Sequence, residues 1–566
     1  MCPLRVEVLR RDDAPCRGHC HRGRALSYGS RVNAFSPGRR TRRLIPSILA
    51  LAVTGSLLTA CTASTDASST ASVEDPTVIV ALPTEPTVFD PNRQYSYDTF
   101  RIDRHIYETL ITEDLSTPAE DGTPELVPGL AESWDVSDDG RTFTFHLREG
   151  VTFSDGTPFD AEALDVNVRR FTDPDFEYFD EESQARMSGV FATLESTEVV
   201  DDHTFSYTFT DPFLAFPRYV AQGNYVQGVF SPAALEEYGN DGLADHPVGT
   251  GPYTFVERKA NDHTTLERND DYWGDAPVAE KLIFRTITDE SARASALRTG
   301  DVDIIANPPA DAIDELAQSG YGTPDNLGAA NIDFYAFNWA NEAVQDVRVR
   351  QAIIKAIDRQ GLVDTVYSGH AAVARNIYPL SNEAFDEGQT DADFDPDGAR
   401  ALLEEAGYED GELSLAISTY VPKTAEYIQS NLEDVGIDVE VRTSDWLTFS
   451  QNIADPGDDV ALQPMSWGLL TADWLRVAYS GYVTRIGDGG QYIDAAVPEA
   501  IDAAAANADQ DSYVQSFQEA NQLAIDEALW VPLASPSVGW AYSDRVTGFV
   551  SPGQNWVDLT TVGLSE

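Results

Sequence analysis

The chain has 566 residues, with 94 Asp and Glu against 38 Lys and Arg, for a formal charge of −56. Such an excess of acid excludes a nucleic-acid-binding role, because contacts to phosphates need a basic face. With 42% hydrophobic and 10% aromatic residues the chain can bury large cores, which excludes a disordered acidic tail.

The first sixty residues hold eleven Arg and only three acids (Glu7, Asp12 and Asp13), so residues 61–566 carry 27 basic against 91 acidic groups, a net of −64. Arg39, Arg40, Arg42 and Arg43 precede an apolar run over 44–60 that closes on Leu58-Thr59-Ala60-Cys61. A basic region, a short apolar region and small residues before a Cys read as an export signal. Pro46 and Gly55 interrupt the run, which falls short of the about 20 residues of a membrane span. Residues 1–60 are therefore read as a signal peptide, with a translation start near Val32 as the simplest account of the basic stretch upstream. Cys16, His19, Cys20 and His21 lie in that stretch, and their spacing is not that of a haem or metal motif. Leu-Thr-Ala-Cys resembles the lipobox of bacterial lipoproteins, which implies acylation of Cys61. Residues 62–75 are rich in Ser, Thr, Ala and Asp without hydrophobic periodicity, as expected of a flexible tether. No Cys follows Cys61, so folding owes nothing to disulfides.

Further on, strand-like and helix-like stretches alternate. Phe143, Phe145 and Leu147 share one side of an alternating run, as do Phe205, Tyr207 and Phe209, and both predict half-buried strands. Ala292 to Leu297, Gly300 and then a strand from Val302 to Ile305 form a helix-strand unit. Asp395 before Pro396 predicts a capped helix with proline in its first turn, carrying Ala399, Leu402, Leu403 and Ala406 at helical spacing and closed by Gly407. Ile428, Leu432 and Val435 run to Gly436, after which Ile437, Val439 and Val441 alternate as a strand. Helix and strand in succession imply α/β lobes.

Signatures of catalysis are missing: no Gly-x-Ser-x-Gly, no His-Glu-x-x-His, no Walker loop and no Gly-x-Gly-x-x-Gly. Six His follow Cys61, none paired at ligand spacing, and acidic pairs such as Asp138-Asp139 are expected by chance among 91 acids. The residues thus give no reason to expect an enzyme, a metal or a cofactor.

Several blocks resemble one family: the extracellular solute-binding proteins of peptide and nickel type that deliver ligands to ABC importers. The longest is LVPGLAESWDVSDDGRTFTFHLREGVTFSDGTPFDAEALDVNVRR over 126–170. PVGTGPYTF (247–255), LERNDDYWG (266–274), DESARASALRTGDVDII (289–305) and DVRVRQAIIKAIDRQGLVDTVYSG (346–369) follow in family order. The residues in these blocks read as structural: Trp134 with the Phe143 stripe as a small core, Asp155-Gly156-Thr157-Pro158 as a turn, Gly249 and Gly251 as permissive backbone at a strand entry, and Asp346 as a helix cap.

The resemblance implies a type II periplasmic-binding-protein-like α/β fold, in which two hinge-linked lobes hold ligand in a cleft and a third domain is added. On it, lobe I is assigned to 76–112, 206–305 and 525–566, the extra domain to 113–205 and lobe II to 306–524. It also implies a monomeric receptor on the outer face of the membrane, held by its lipid, that passes a peptide or other small solute to permease subunits served by a separate ATPase. Closure moves a population from about 1:99 to 99:1 only if the closed form holds ligand better by about 5.5 kcal/mol. From the loops the family places at the cleft, the expected ligand residues are Thr84 and Glu85 in lobe I, and Asn338, Arg375, Tyr378, Trp467 and Asp473 in lobe II. Trp467 would stack on ligand and Arg375 would pair with a carboxylate. Peptide-binding relatives carry an Asp shortly after the matching Trp to hold the α-amino group; here Gly468 to Ala472 intervene, and Asp473 is the first acid. Either Asp473 serves in a shifted loop, or the ligand has no free ammonium. Peptide is the leading expectation, with oligosaccharide, opine or metal chelate as alternatives, and a surface-anchored hydrolase or signalling receptor behind them.

Overall fold

The computed structural model describes residues 76–566 except 87, 95, 117–122, 222–227, 325–330, 469, 538 and 552–554. The expected signal peptide, Cys61 and the tether lie outside the described residues.

Two six-stranded sheets organise the chain. In the first, the strand Thr77–Leu82 lies between parallel partners Lys281–Thr286 and Ile304–Ala306, with His263–Arg268, Tyr253–Lys259 and Trp540–Tyr542 added antiparallel towards the edges. Val78, Val80 and Leu82 on one side of the central strand and Ala81 on the other are buried, as a strand covered on both faces requires. The second sheet runs Ala371–Val373, Trp530–Pro536, Ile332–Phe337, Val460–Trp467, Leu413–Thr419 and Ile437–Thr443. Its last three strands are mutually parallel.

Local chemistry fixes the elements that sequence reasoning named. Asp395 accepts from the Gly398 amide at 2.9 Å and Gly407 closes the helix Pro396–Ala406 in the left-handed region at φ 98°. Asp346 caps Val347–Ala356 in the same way, accepting from the Arg348 amide at 2.9 Å. Gly249 and Gly251 serve differently from the expectation. Neither needs a positive φ; a Cβ would meet the Ile106 carbonyl oxygen at 2.1 Å and 2.6 Å respectively, so it is close backbone approach that demands glycine.

A four-stranded antiparallel sheet, Ala131–Val136, Thr142–Leu147, Thr204–Phe209 and Leu194–Asp201, builds the extra domain. Phe216 sits among its rings, 4.7 Å from Phe209, 5.0 Å from Phe143 and 5.2 Å from Tyr207. A boundary at 205 therefore cuts a strand, and the domain continues through the helix Phe216–Tyr219, whose Tyr219 ring lies 5.5 Å from Phe213. Two further boundaries move. Trp530–Pro536 pairs with Ile332–Phe337 in the second sheet, so lobe II extends past 524. Ala312 and Leu316, at the start of and within the helix Ile313–Gln318, pack with Ala81, Ile305 and Ala541 on the first sheet, so the chain crosses to lobe II after that helix and not at 306. The reason is the same in each case: composition changes little across a hinge, while strand pairing and side-chain packing decide membership.

Candidate ligand-binding cleft

In open α/β sheets ligand sites lie beyond the carboxyl ends of the strands. At that end of the second sheet, just past Leu413–Thr419, Ile437–Thr443 and Val460–Trp467, aromatic side chains gather. Tyr420 lies 4.9 Å from Trp446 and 4.9 Å from Phe449. Trp467 lies 5.2 Å from Trp474 and 6.4 Å from Tyr482, and Tyr482 packs 5.2 Å from Phe334. Trp446 is 44% exposed, open to a ligand. From the first lobe, Tyr97 comes near enough to raise the phenols of both Tyr420 and Tyr482, on top of the larger effect of their burial. Tyr97 in turn lies 6.4 Å from Trp556.

Polar contacts join the lobes beside this group. Thr84 donates to Asp98 through its amide at 2.7 Å and its hydroxyl at 2.6 Å, and Asp98 accepts from Arg101 at 2.6 Å. Arg101 donates onward to the Asn555 carbonyl at 2.7 Å, and the Asn555 amide donates to Asn331 of the second lobe at 2.8 Å. The same guanidinium reaches Asn307 at 3.0 Å and lies 4.8 Å from the Trp540 ring centroid. Asn307 follows the strand Ile304–Ala306 and Trp540 opens the strand Trp540–Tyr542, so Arg101 ties the ends of these two neighbouring strands of the first sheet together. At the outer rim Lys423 of lobe II pairs with Glu290 of lobe I at 2.9 Å.

The expected ligand residues separate. Trp467 is half-buried in the aromatic group, and Thr84 stands at the interlobe network with its donors committed to Asp98. Glu85 is 3.9 Å from Arg258, and Arg375 is paired with Asp393. Three others are structural. Asn338 is buried at the far end of Ile332–Phe337, its amide donating to the Gly457 and Val460 carbonyls at 2.9 and 2.8 Å, and Trp339 beside it is fully buried. Tyr378 is buried and donates to the Ala472 carbonyl at 2.8 Å. Asp473 is 2% exposed, takes two hydrogen bonds from Arg476 at 2.7 Å each and a third from Tyr219 of the extra domain at 2.9 Å. Its acceptor capacity is committed to tying the extra domain to lobe II, which removes it as the holder of a ligand ammonium.

Sequence reasoning missed Tyr97, Tyr420, Trp446 and Tyr482. Tyr420 and Trp446 follow alternating strands within three residues, and the carboxyl-end rule applied to those strands would have found them.

A separate cavity of about 300 Å³ lies between lobe I and the first strands of the extra domain, lined among others by Arg104, Glu108, Glu113, Trp273 and Asp558. Burial pushes the Glu108 carboxyl up to about 7 against the pull of hydrogen bonds from Trp273 at 2.7 Å and Tyr272 at 2.8 Å.

Residues 125–482 match the model of the bacterial extracellular solute-binding proteins, family 5. The chain belongs to that family. This solute-binding protein is 30% identical over 435 residues to the glutathione-binding protein GsiB of Salmonella paratyphi A, covering 74% of this chain and 82% of the relative. It is 29% identical over 453 residues to di/tripeptide-binding protein 1 of Pseudomonas aeruginosa, covering 75% and 83%. Among solved structures, the periplasmic binding protein DppA of Helicobacter pylori in complex with the peptide STSA superposes with a TM-score of 0.76 at 25% identity, over 87% of this chain and 98% of that one. The fold is thus the two-lobed α/β fold of periplasmic binding proteins, and the protein is a binding receptor, not an enzyme. No helix among the described residues is long and apolar enough to cross a membrane.

Proposed function

We propose that this solute-binding protein is a lipid-anchored, monomeric receptor that captures a di- or oligopeptide by hinge closure and hands it to the permease of an ABC importer. The observation that carries the reading is the aromatic group shared by the lobes: Tyr97 on one side, Tyr420, Trp446, Trp467 and Tyr482 on the other. Such walls suit the apolar and aromatic side chains of a peptide and become complementary only when the lobes approach, which is what closure requires. The relatives named for glutathione, for di- and tripeptides and for a bound peptide support the same class. Thr84 and Glu85 would sit at the lobe I edge of the bound solute, with Trp467 against its side chains.

Native mass spectrometry of the freshly purified protein is the direct test: a peptide mass released on denaturation is the expected result, and release of an oligosaccharide, opine or metal chelate instead would reassign the ligand. For the anchor, acylation needs the Cys thiol, so Cys61→Ser is expected to move the protein from the membrane fraction to the soluble fraction with peptide binding intact. A variant that still pellets and incorporates labelled palmitate would remove the lipobox reading.

A further inference from the structure

Asn331 immediately precedes Ile332–Phe337, the strand by which the chain enters the second sheet, and its carbonyl accepts from Ser535 on Trp530–Pro536, the strand by which it leaves. Asn555 belongs to the first lobe: Val557 and Leu559 just after it join the core under the first sheet, and its carbonyl accepts from Arg101 at 2.7 Å. The Asn555 amide donates to the Asn331 side-chain oxygen at 2.8 Å, and the return approach, from Asn331 Nδ2 to Asn555 Oδ1, is 3.5 Å. Both residues are buried. Two side-chain amides thus face each other across the junction of the lobes, at the root of the strands that join them. The lobe I side of the contact is braced. Arg101 is held by Asp98 at 2.6 Å and by Asn307 at 3.0 Å, and Asp98 accepts from Thr84.

A pair of amides suits a contact that must form and break. Apart, each amide hydrogen-bonds to water; together, each finds the other, so neither arrangement strands a buried polar atom. A buried ion pair would have to shed the hydration of two charges whenever the lobes met. The rim pair of Lys423 and Glu290 is the opposite case, exposed and therefore weakened by salt. We infer that Asn331 and Asn555 are positioning residues for closure: their amide pair clasps the lobes at the hinge, and Arg101 holds Asn555 in register for it. Through Asp98 the clasp is continuous with Thr84 at the lobe I edge of the cleft. Neither amide is assigned a contact with solute, so the pair sets how long the lobes stay together and not which solute is chosen. The inference rests on the reading of the protein as a receptor that closes about a hinge and is independent of the class of solute.

The test follows the interlobe distance by pulsed electron spin resonance between labels at Ser295→Cys on Glu290–Thr299 and Ser430→Cys on Pro422–Glu433, both exposed, one on each lobe. Cys61→Ser protein with its signal peptide removed has no other thiol to label. Labelled wild type, Asn331→Ala, Asn555→Ala and the double variant are compared without solute, and thermal midpoints are recorded to show that each is folded. Wild type is expected to show a short and a long distance, and each single substitution to move the ratio about fivefold towards the long one, as loss of one neutral hydrogen bond does. Either substitution removes the same bond, so the double variant is expected to match the singles and not to multiply them. The shift is expected to be equal at about 0.1 M and about 1 M salt, because the pair is uncharged. With the dipeptide Ala-Phe as probe, dissociation is expected to quicken about fivefold while association stays within about twofold, a split that a general loss of stability does not produce. Identical distances in all four proteins would overturn the assignment, and so would effects that multiply in the double variant. Failure of Ala-Phe to bind wild type would count against the peptide reading alone, since the distances decide the clasp without it.

Discussion

Asp473→Ala is expected to lower the stability of the protein by about 3 kcal/mol while leaving the affinity of the folded molecules for solute unchanged within a factor of about two. The carboxylate is 2% exposed and takes three hydrogen bonds, two of them from one guanidinium. Removing it leaves the Tyr219 hydroxyl buried without its acceptor and Arg476 without its partner. The Arg476 side chain is 32% exposed and can turn partly to water, which places the cost at the lower end of the range of about 3 to 5 kcal/mol for breaking a buried ion pair. Tyr219 belongs to the extra domain and Asp473 to lobe II, so the loss should appear as loosening of that junction, visible as faster amide exchange around 213–221. Denaturant unfolding and calorimetric titration on the same preparation check both halves. Wild-type stability together with lost binding would return Asp473 to the ligand site.

That result bears on what the chain discloses before it folds. The helix Pro396–Ala406 is legible because everything that defines it is local: a capping Asp, a proline in the first turn and a glycine that takes φ 98°. The strands at Phe143 and Phe205 are legible because burial of one face imposes alternation. The family itself is legible from the blocks over 126–369, which encode turns and cores. The ligand residues are less so. Asn338, Tyr378 and Asp473 have the chemistry of contact residues, and only tertiary structure shows each spent inward, on carbonyls or on Arg476. Conversely Asp333 reads from sequence as the polar half of an alternating strand, and nothing nearby in the chain announces that the hydroxyl of Tyr367, thirty-four residues on, donates to it. Domain boundaries fail for the same reason. Ala312, Tyr219 and Trp530 are assigned by the surfaces they bury, which no window of sequence contains.

Glu108 carries the second large effect, through pH. Its carboxyl sits at about 7 in the folded protein, raised by burial above an ordinary value of 4.5. A raised carboxyl means that the folded state holds its proton more tightly than the unfolded state between those values. Stability from this group is therefore complete below about pH 4.5 and lost as pH climbs to about 7; two and a half pH units at 1.36 kcal/mol each make the loss about 3 kcal/mol. Glu108→Gln cannot ionise. Its carbonyl can accept from Trp273, which only donates, and its amide can donate to the Tyr272 oxygen, so the buried contacts survive the exchange. The variant is thus expected to match wild type near pH 4.5 and to exceed it by up to about 3 kcal/mol at pH 8. The chain's excess of acid also disfavours the compact state as pH rises, and Asp391, raised to about 7 by burial beside Arg359, acts in the same direction. Both contributions are common to the two proteins and cancel in the difference between their profiles. Urea unfolding of wild type and variant at half-unit steps from pH 4.5 to 8 isolates Glu108, and parallel profiles would show that its carboxyl titrates as it does in water.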